Sequence, residues 1–368
     1  MSTKKDKFSK KDKFYMEVAL NLAKSREGLT GTNPSVGCVI VKNEKIISIG
    51  QTSFDGRPHA EINAINNTID DLKGATMYVT LEPCSHYGVT PPCTRSIIKS
   101  KFKEVIYSII DIDKRVKGKT LNILKSKNIK ARSGLLKDKI NKFYIPYFFN
   151  KKNRLPYVSG KIAISKNNLI YSKEDKRITN SKADKYTHLL RFKNDSILIS
   201  YKTLNKDNPK LNCRLKGLKK FSPKRIILDN ELKTNIKSYV FKTANKENTI
   251  FFYNEAKKSK IFKFKQHKIT LIKSAIDSNK RFNLSIILKK LYNLNCRNIL
   301  VEGGNNLTSS FIKDMIFNQF FLFEGSKNLS KSCEFLEFKD LGLLKKKYKK
   351  RLKIKSNFGK DVITLYKK

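Results

Sequence analysis

His59-Ala60-Glu61, followed by Pro83-Cys84-Ser85-His86-Tyr87-Gly88-Val89-Thr90-Pro91-Pro92-Cys93, decides how the first half of the chain is read. It offers one imidazole, two thiols and a carboxylate. Zinc is held well by imidazole and thiolate, and a catalytic zinc site keeps three protein ligands with the fourth position open to water. His59, Cys84 and Cys93 fill that count. Glu61 is then left over as a group that can move a proton beside the metal. Alone, a His-Ala-Glu means little, and a Pro-Cys can be a turn beside a small buried thiol. The combination is what specifies a metal centre.

The flanking segments fit this reading. Ser35 to Val41 and Lys45 to Ile49 are β-branched runs that predict two strands joined at Lys42-Asn43-Glu44. Pro58 to Ile65 predicts a helix start with proline at an early position. Ala75 to Leu81 reads as a strand ending at Glu82-Pro83, and Thr94 to Lys101 as a further helix. The ligands would sit where strands end and helices begin, and there backbone N–H groups favour thiolate over thiol.

A chain of 368 residues accommodates two domains. Two of its six cysteines belong to the metal motif, and Cys38, Cys213, Cys296 and Cys333 lie in or beside apolar runs. That usage predicts buried free thiols in a reducing compartment, hence the cytoplasm. From Met1 to a first helix at about Lys13 to Lys24 there is no apolar signal-like stretch, and no run is long enough to span a bilayer. The formal net charge of +48 raises the question of a nucleic-acid partner. Its lysines are spread among Asn and Ile along the whole chain, the one dense cluster being Lys345 to Arg351. A dedicated polyanion footprint is localised, so this spread reads as solvated surface encoded by an AT-rich genome. The field still favours anionic small molecules.

Ile145-Pro146-Tyr147 and Arg154-Leu155-Pro156 predict an extended connector, which places the domain boundary near residue 150, with domains at 1–148 and 149–368. Beyond it a strand over Tyr157 to Ile164 leads into a polar segment reaching Asn180. Helices at Ser181 to Phe192, Asn283 to Leu294 and, last, Leu307 to Phe317 alternate with strands at Ser196 to Ser200, Arg225 to Asp229, Thr249 to Tyr253 and Asn298 to Val301. That alternation predicts an α/β domain with a largely parallel sheet. Val301-Glu302-Gly303-Gly304 enters a helix from a strand, a place where exposed N–H groups can meet a phosphate. Thr203 to Arg214 reads as a loop.

A His-x-Glu with Pro-Cys and a second Cys is a signature of zinc deaminases. Here Asn33-Pro34-Ser35-Val36-Gly37-Cys38, His59-Ala60-Glu61, Thr80-Leu81-Glu82-Pro83-Cys84-Ser85-His86 and Gly88 to Cys93 together resemble the bifunctional deaminase/reductase family of bacterial riboflavin biosynthesis. The eight residues between Cys84 and Cys93 are the specific part, since nucleic-acid-editing deaminases usually carry two. The likeness continues through Lys161 to Ser165, Arg191, Thr203, Asp207-Asn208-Pro209, Leu211 to Arg214, Leu228-Asp229 and Glu302-Gly303-Gly304.

The resemblance implies a cytidine-deaminase-like α/β/α sandwich followed by a dihydrofolate-reductase-like α/β domain. It implies zinc-dependent removal of an amino group from diaminohydroxyphosphoribosylaminopyrimidine, then NADPH-dependent reduction of the ribosyl side chain to ribityl. His59, Cys84 and Cys93 become the zinc ligands, Glu61 the catalytic proton carrier and Asn33 a substrate contact. Ile164, Arg177, Thr203, Asp207, Asn230 and Gly304 are assigned to NADPH, and Lys161, Asp175, Arg191, Leu211, Arg214 and Glu302 to the substrate. Arg191 and Arg214 suit phosphate, because a guanidinium binds such an oxyanion through two N–H groups. The partner implied is a small phosphoribosylated pyrimidine; a homo-oligomer is compatible with the sequence.

Three positions depart from the family. Lys166-Asn167-Asn168 stands for Leu-Asp-Gly, Arg177 for a tryptophan, and Asn208 for the second Asp of Asp-Asp-Pro. They concentrate in the second half, so a deaminase with an inactive reductase is one alternative. A tRNA deaminase shares the zinc core and suits the charge, and a basic protein with a purely structural zinc clamp shares the ligands. The long gap between the cysteines and the reductase-like half speak against the tRNA reading, and Glu61 is unexplained by the clamp.

Overall fold

The computed structural model describes residues 8–175 and 177–368, and the chain divides into two compact units between Arg154 and Leu155. In the first, α1 (Lys10–Ser25) precedes the strands β1 (Gly37–Lys42) and β2 (Lys45–Gln51). Then come α2 (Ala60–Asn66), β3 (Thr76–Leu81), α3 (Cys93–Lys99), β4 (Glu104–Ile109), α4 (Lys119–Lys125), β5 (Lys130–Ser133) and α5 (Lys137–Asn153). The sheet runs β2-β1-β3-β4-β5. β1 is antiparallel to both neighbours, whereas β3, β4 and β5 are parallel.

Local chemistry explains several of these elements. Ser9 and Asp12 form a reciprocal capping box at the start of α1, so two backbone N–H groups that a helix leaves unpaired are satisfied. Asn43 and Glu44, both at positive φ, make the two-residue turn between β1 and β2 that matches strand twist. β4 is buried along its whole length and β3 nearly so, as strands are when both sheet faces are covered. α2, α3 and α4 contact one another in series, and Lys139 of α5 pairs with Glu17 of α1 at 2.6 Å. The result is the α/β/α sandwich that the family resemblance implied.

The second unit contains β6 (Tyr157–Ile164), β7 (Leu169–Ser172), α6 (Ser181–Lys193), β8 (Ser196–Ser200), α7 (Tyr201–Asp207), β9 (Lys224–Leu228) and α8 (Tyr239–Lys242). It continues with β10 (Thr249–Tyr253), α9 (Lys258–Gln266), β11 (Thr270–Lys273), α10 (Leu284–Asn293), β12 (Asn298–Val301) and α11 (Asn305–Lys313). Last come β13 (Gln319–Glu324), β14 (Phe335–Glu337), α12 (Leu341–Lys347), β15 (Lys350–Lys353) and β16 (Val362–Lys367). Nine strands form one sheet in the order β11-β10-β9-β8-β12-β6-β13-β16-β15, and β7 pairs with β14 in a small second sheet. Seven consecutive members, β11 through β13, are parallel, and β16 and β15 close that edge antiparallel.

Five expectations are corrected. No extended connector surrounds residue 148: α5 passes through it with Pro146 inside the helix, and the division falls at Arg154–Leu155. Proline removes one helical hydrogen bond, but the face it shares is anchored. Tyr144 Oη donates to Ser35 O at 2.8 Å, and Tyr147 Oη reaches Asp111 at 3.2 Å. The polar segment after β6 contains β7, a strand too short to stand out in the sequence. The first half of Thr203 to Arg214 is helical, because Ser200 caps α7 through its hydroxyl and Asn208, in the left-handed region, ends it. The helix at α11 is not the last element, since α12 and four strands follow α11. Cys38, Cys213 and Cys296 are buried free thiols as expected, but Cys333 is exposed.

Candidate active site

Three strand ends and helix starts converge in the first unit. His59 is the N-cap of α2 and Glu61 lies in that helix's first turn, 3% exposed. Cys93 opens α3, and Cys84 follows the end of β3. One ligand atom from each of His59, Cys84 and Cys93 lies within 4.8 Å of the others. His59 Nδ1 is 3.6 Å from Cys84 Sγ and 3.4 Å from Cys93 Sγ. A tetrahedral zinc with bonds of about 2.3 Å to sulfur and about 2.0 Å to nitrogen sets such atoms about 3.5 Å apart, so the donor set fits that ion.

The electrostatics suit a cation. The Cys93 backbone N–H donates to Cys84 Sγ at 3.2 Å. Hydrogen bonds from the Cys93 thiol, His59 and that N–H pull the Cys84 thiol down to about 4. The Cys93 thiol is pushed well up by the neighbouring Cys84 sulfur and by burial. Two sulfurs this close compete for one proton, and a dication relieves the competition. Burial raises the Glu61 carboxyl to about 7, which suits it to exchanging protons near neutrality.

His59, Glu61 and Cys84 floor a pocket of about 720 Å³, open to solvent, whose wall also carries Asn33, Arg57, His86, Asp111, Arg115 and Lys151. Asn33 Nδ2 donates to Gly56 O at 3.1 Å, which fixes its side chain at the rim. Glu82 is a tether: its carboxylate accepts from the backbone N–H of Asp111, Gly118 and Thr120 at 3.0–3.2 Å and shapes the wall beyond β4. His86 lines the pocket with its Nδ1 buried and unpartnered. Arg57, which sequence reasoning passed over, sits two residues before His59 and could have been found from that adjacency. Asp111, Arg115 and Lys151 carry no such signal, because the fold alone brings them to the pocket.

In the second unit β9, β8, β12 and β6 are sheet neighbours and parallel. Asn230, Thr203, Glu302 to Gly304 and Ile164 therefore lie along one edge, at the carboxyl ends of these strands, where open α/β sheets bind ligands. Gly304 N donates to Thr203 Oγ1 at 3.3 Å. Asn230 Nδ2 donates to Lys280 O, and Asp207 ends α7. Arg191 of α6 is paired with Glu302 and donates Nη1 to Asn212 O at 3.2 Å. Arg214 Nη1 reaches Asn212 Oδ1 at 3.2 Å, and His188, absent from the sequence expectations, packs on the same residue, Nδ1 to Asn212 O 3.2 Å. Leu211 is buried. Lys161 holds its ammonium 4.8 Å from the centre of the Phe323 ring, and burial lowers its pKa. Asp175 accepts from Ser330 N at 2.6 Å, and Arg177 forms an exposed pair with Asp184 at 3.2 Å.

A metal-ready core with a buried carboxyl beside it and a parallel-sheet domain with a ligand edge define a two-domain, metal-dependent enzyme. Residues 9–109 match the family described as "Cytidine and deoxycytidylate deaminase zinc-binding region", and residues 170–361 match "RibD C-terminal domain". The chain is 34% identical over 361 residues to the riboflavin biosynthesis protein RibD of Aquifex aeolicus, covering 97% of this chain and 98% of that protein. The chain belongs to the RibD family. Over 146 residues, 40% of its length, it is 44% identical to a diaminohydroxyphosphoribosylamino-pyrimidine deaminase of Buchnera aphidicola, 99% of which is covered. Among solved structures it resembles the deaminase/5-amino-6-(5-phosphoribosylamino)uracil reductase of Thermotoga maritima, with a TM-score of 0.80 at 28% identity over 97% of this chain and 98% of that one. It is accordingly an enzyme of riboflavin biosynthesis with a zinc-binding deaminase domain and an NADPH-dependent, dihydrofolate-reductase-like reductase domain. Among the described residues, no helix is long and apolar enough to cross a membrane.

Proposed function

We propose that the first unit deaminates diaminohydroxyphosphoribosylaminopyrimidine and that the second reduces the ribosyl side chain of the deaminated product to ribityl. The observation that carries the reading is the His59, Cys84 and Cys93 triangle with the buried Glu61 carboxyl beside it. Zinc held by that triangle supplies Lewis acidity that makes hydroxide available near neutral pH. Glu61 takes one proton from the attacking water and delivers it to the ring nitrogen, then carries a second, from the hydroxyl of the adduct, to the amino group, which leaves as ammonia as the C–N bond breaks and the carbonyl forms. Asn33, fixed at the rim by Gly56 O, orients the ring over the carboxylate.

In the second unit NADPH supplies the hydride. Ile164, Thr203, Asp207, Asn230 and Gly304 hold the cofactor along the strand-end edge, with Arg177 at its outer end. Lys161, Asp175, Leu211, Arg214 and Glu302 face the substrate. Positioning carbon against the nicotinamide is the main task there. Arg191 serves chiefly to fix Glu302, and Arg214 is the guanidinium left to meet phosphate. The substrate is a small molecule rather than nucleic acid, and the cytoplasm suits six unpaired cysteines.

The test is a coupled assay on the zinc-loaded chain. Ammonia release from the diaminopyrimidine, followed by NADPH oxidation, is expected. No ammonia from that substrate with release from tRNA would overturn the deaminase assignment, and deamination without NADPH oxidation would overturn the reductase assignment.

A further inference from the structure

Charge in the deaminase pocket is not evenly compensated. Arg115 is held by Asp113 through Nε at 2.9 Å and Nη2 at 2.7 Å, and Lys151 lies 3.5 Å from the same carboxylate. Arg57 differs. Its Nη1 donates to the Thr90 hydroxyl at 2.6 Å and lies 3.4 Å from His59 Nε2, with no carboxylate partner among the described residues.

The contact with His59 is informative because of proton placement. Nδ1 of His59 is the atom turned to the two cysteines, so a ligating imidazole carries its proton on Nε2. Arg57 Nη1–H and His59 Nε2–H are then two donors side by side that cannot bond each other, and the Thr90 hydroxyl takes up one N–H of the guanidinium. A methyl group added at Gly88 would sit 3.8 Å from both Arg57 Nη2 and His86 Nε2, so these side chains also border one small space above that glycine. Donors gathered around an open space call for an anionic oxygen. The loop from Ser85 to Pro92 contributes no lysine or arginine, so the cation at this place comes from Arg57.

We propose that Arg57 binds the phosphate of the deaminase substrate and makes this unit select phosphorylated over dephosphorylated pyrimidines. The proposal rests on the deaminase reading above. A guanidinium held by Thr90 keeps its remaining N–H groups aimed for two-point contact, which a lysine ammonium does not reproduce. Arg115 and Lys151 share the Asp113 carboxylate, whereas Arg57 is a cation of the pocket wall with no carboxylate partner among the described residues.

The experiment compares wild type with R57M and R57K, all zinc-loaded, on diaminohydroxyphosphoribosylaminopyrimidine and on its dephosphorylated form. In R57M, kcat/KM for the phosphorylated compound is expected to fall about 10–100-fold, the range for losing hydrogen bonds to a charged group. The dephosphorylated compound should change little, and R57K should recover part of the loss. Binding without turnover supplies a second readout: calorimetry of the phosphorylated compound with E61Q should show its affinity weakened in E61Q/R57M. Zinc content and NADPH oxidation with the deaminated intermediate should match wild type. An unchanged preference for the phosphorylated compound, an equal loss on both compounds, or loss of zinc from both Arg57 variants would overturn the proposal while leaving the deaminase reading intact. A wild-type protein that deaminates neither compound would defeat the reading and the proposal with it.

Discussion

Arg191 and Glu302 form a largely buried two-point ion pair, Nε to Oε1 at 2.7 Å and Nη2 to Oε2 at 2.8 Å, linking α6 to the end of β12. Two residues that the family resemblance assigns separately to substrate thus bind each other. The pair orients Glu302 beside the glycines that open α11, and neither charge reaches the site alone. Removing one partner strands the other in a poorly solvated place, so R191M is expected to cost about 3–5 kcal/mol. Urea unfolding followed through reductase activity would measure it, and an unshifted midpoint would refute the structural role.

The same pair predicts a pH dependence. Burial pushes the Glu302 carboxyl up, but the charge and hydrogen bonds of Arg191 outweigh it and the net shift is downward. A carboxyl lowered in the folded state contributes stability that is fully present above its unfolded value of about 4.3 and lost as pH falls through the folded value. In R191M burial is opposed only by the charges of Lys161 and His188, so the downward shift is lost and with it the stability gained as pH rises. The gap between the two urea midpoints should therefore widen from about pH 3 to about pH 6. A constant gap would mean that Glu302 does not titrate against Arg191.

Glu61 and the ligands separate catalysis from metal holding. E61Q is expected to keep about one zinc per chain and to lose about 10²–10⁴-fold in deamination. C93S should lose the zinc and the deaminase together. Both variants should oxidise NADPH with the deaminated intermediate at the wild-type rate, because the two activities belong to separate units. Metal analysis alongside the two half-assays decides this, and a zinc-free E61Q would argue for a carboxylate ligand.

How far the sequence alone reached differs between the units. His59, Cys84 and Cys93 were legible because metal ligation demands specific atoms, and proline and strand ends punctuate them at short range. Pro146 misled, since a local helix breaker was outweighed by Tyr144 and Tyr147 anchoring α5 to the first unit. Asn168 was legible as a departure and is explained by geometry. At φ 61 it adopts the left-handed turn between β6 and β7 that a glycine adopts readily and asparagine tolerates. The Arg191–Glu302 pair was not legible, because 111 residues separate partners that only the parallel sheet brings together.

Gly50 offers a test of how the fold aims the site. It lies on β2 beneath α2, and a Cβ there would fall 2.2 Å from Ala60 O and 2.4 Å from Ala64 N. Both are backbone atoms of the helix that carries Glu61 and is capped by His59, so no side-chain rotation relieves the clash. G50A must lift α2, and overpacking of this kind costs about 1–3 kcal/mol. Displacement of His59 relative to Cys84 and Cys93 should weaken zinc binding, read as earlier metal release to a chelator, and lower deamination while NADPH oxidation persists. G342A is the matched control: Gly342 lies in α12 with nothing within 4 Å of an added Cβ. Alanine favours helix by up to about 1 kcal/mol over glycine, so that variant should be neutral or slightly more stable and release zinc as wild type does. Equal zinc release from G50A and G342A would show that close packing of α2 on β2 does not set the ligand geometry.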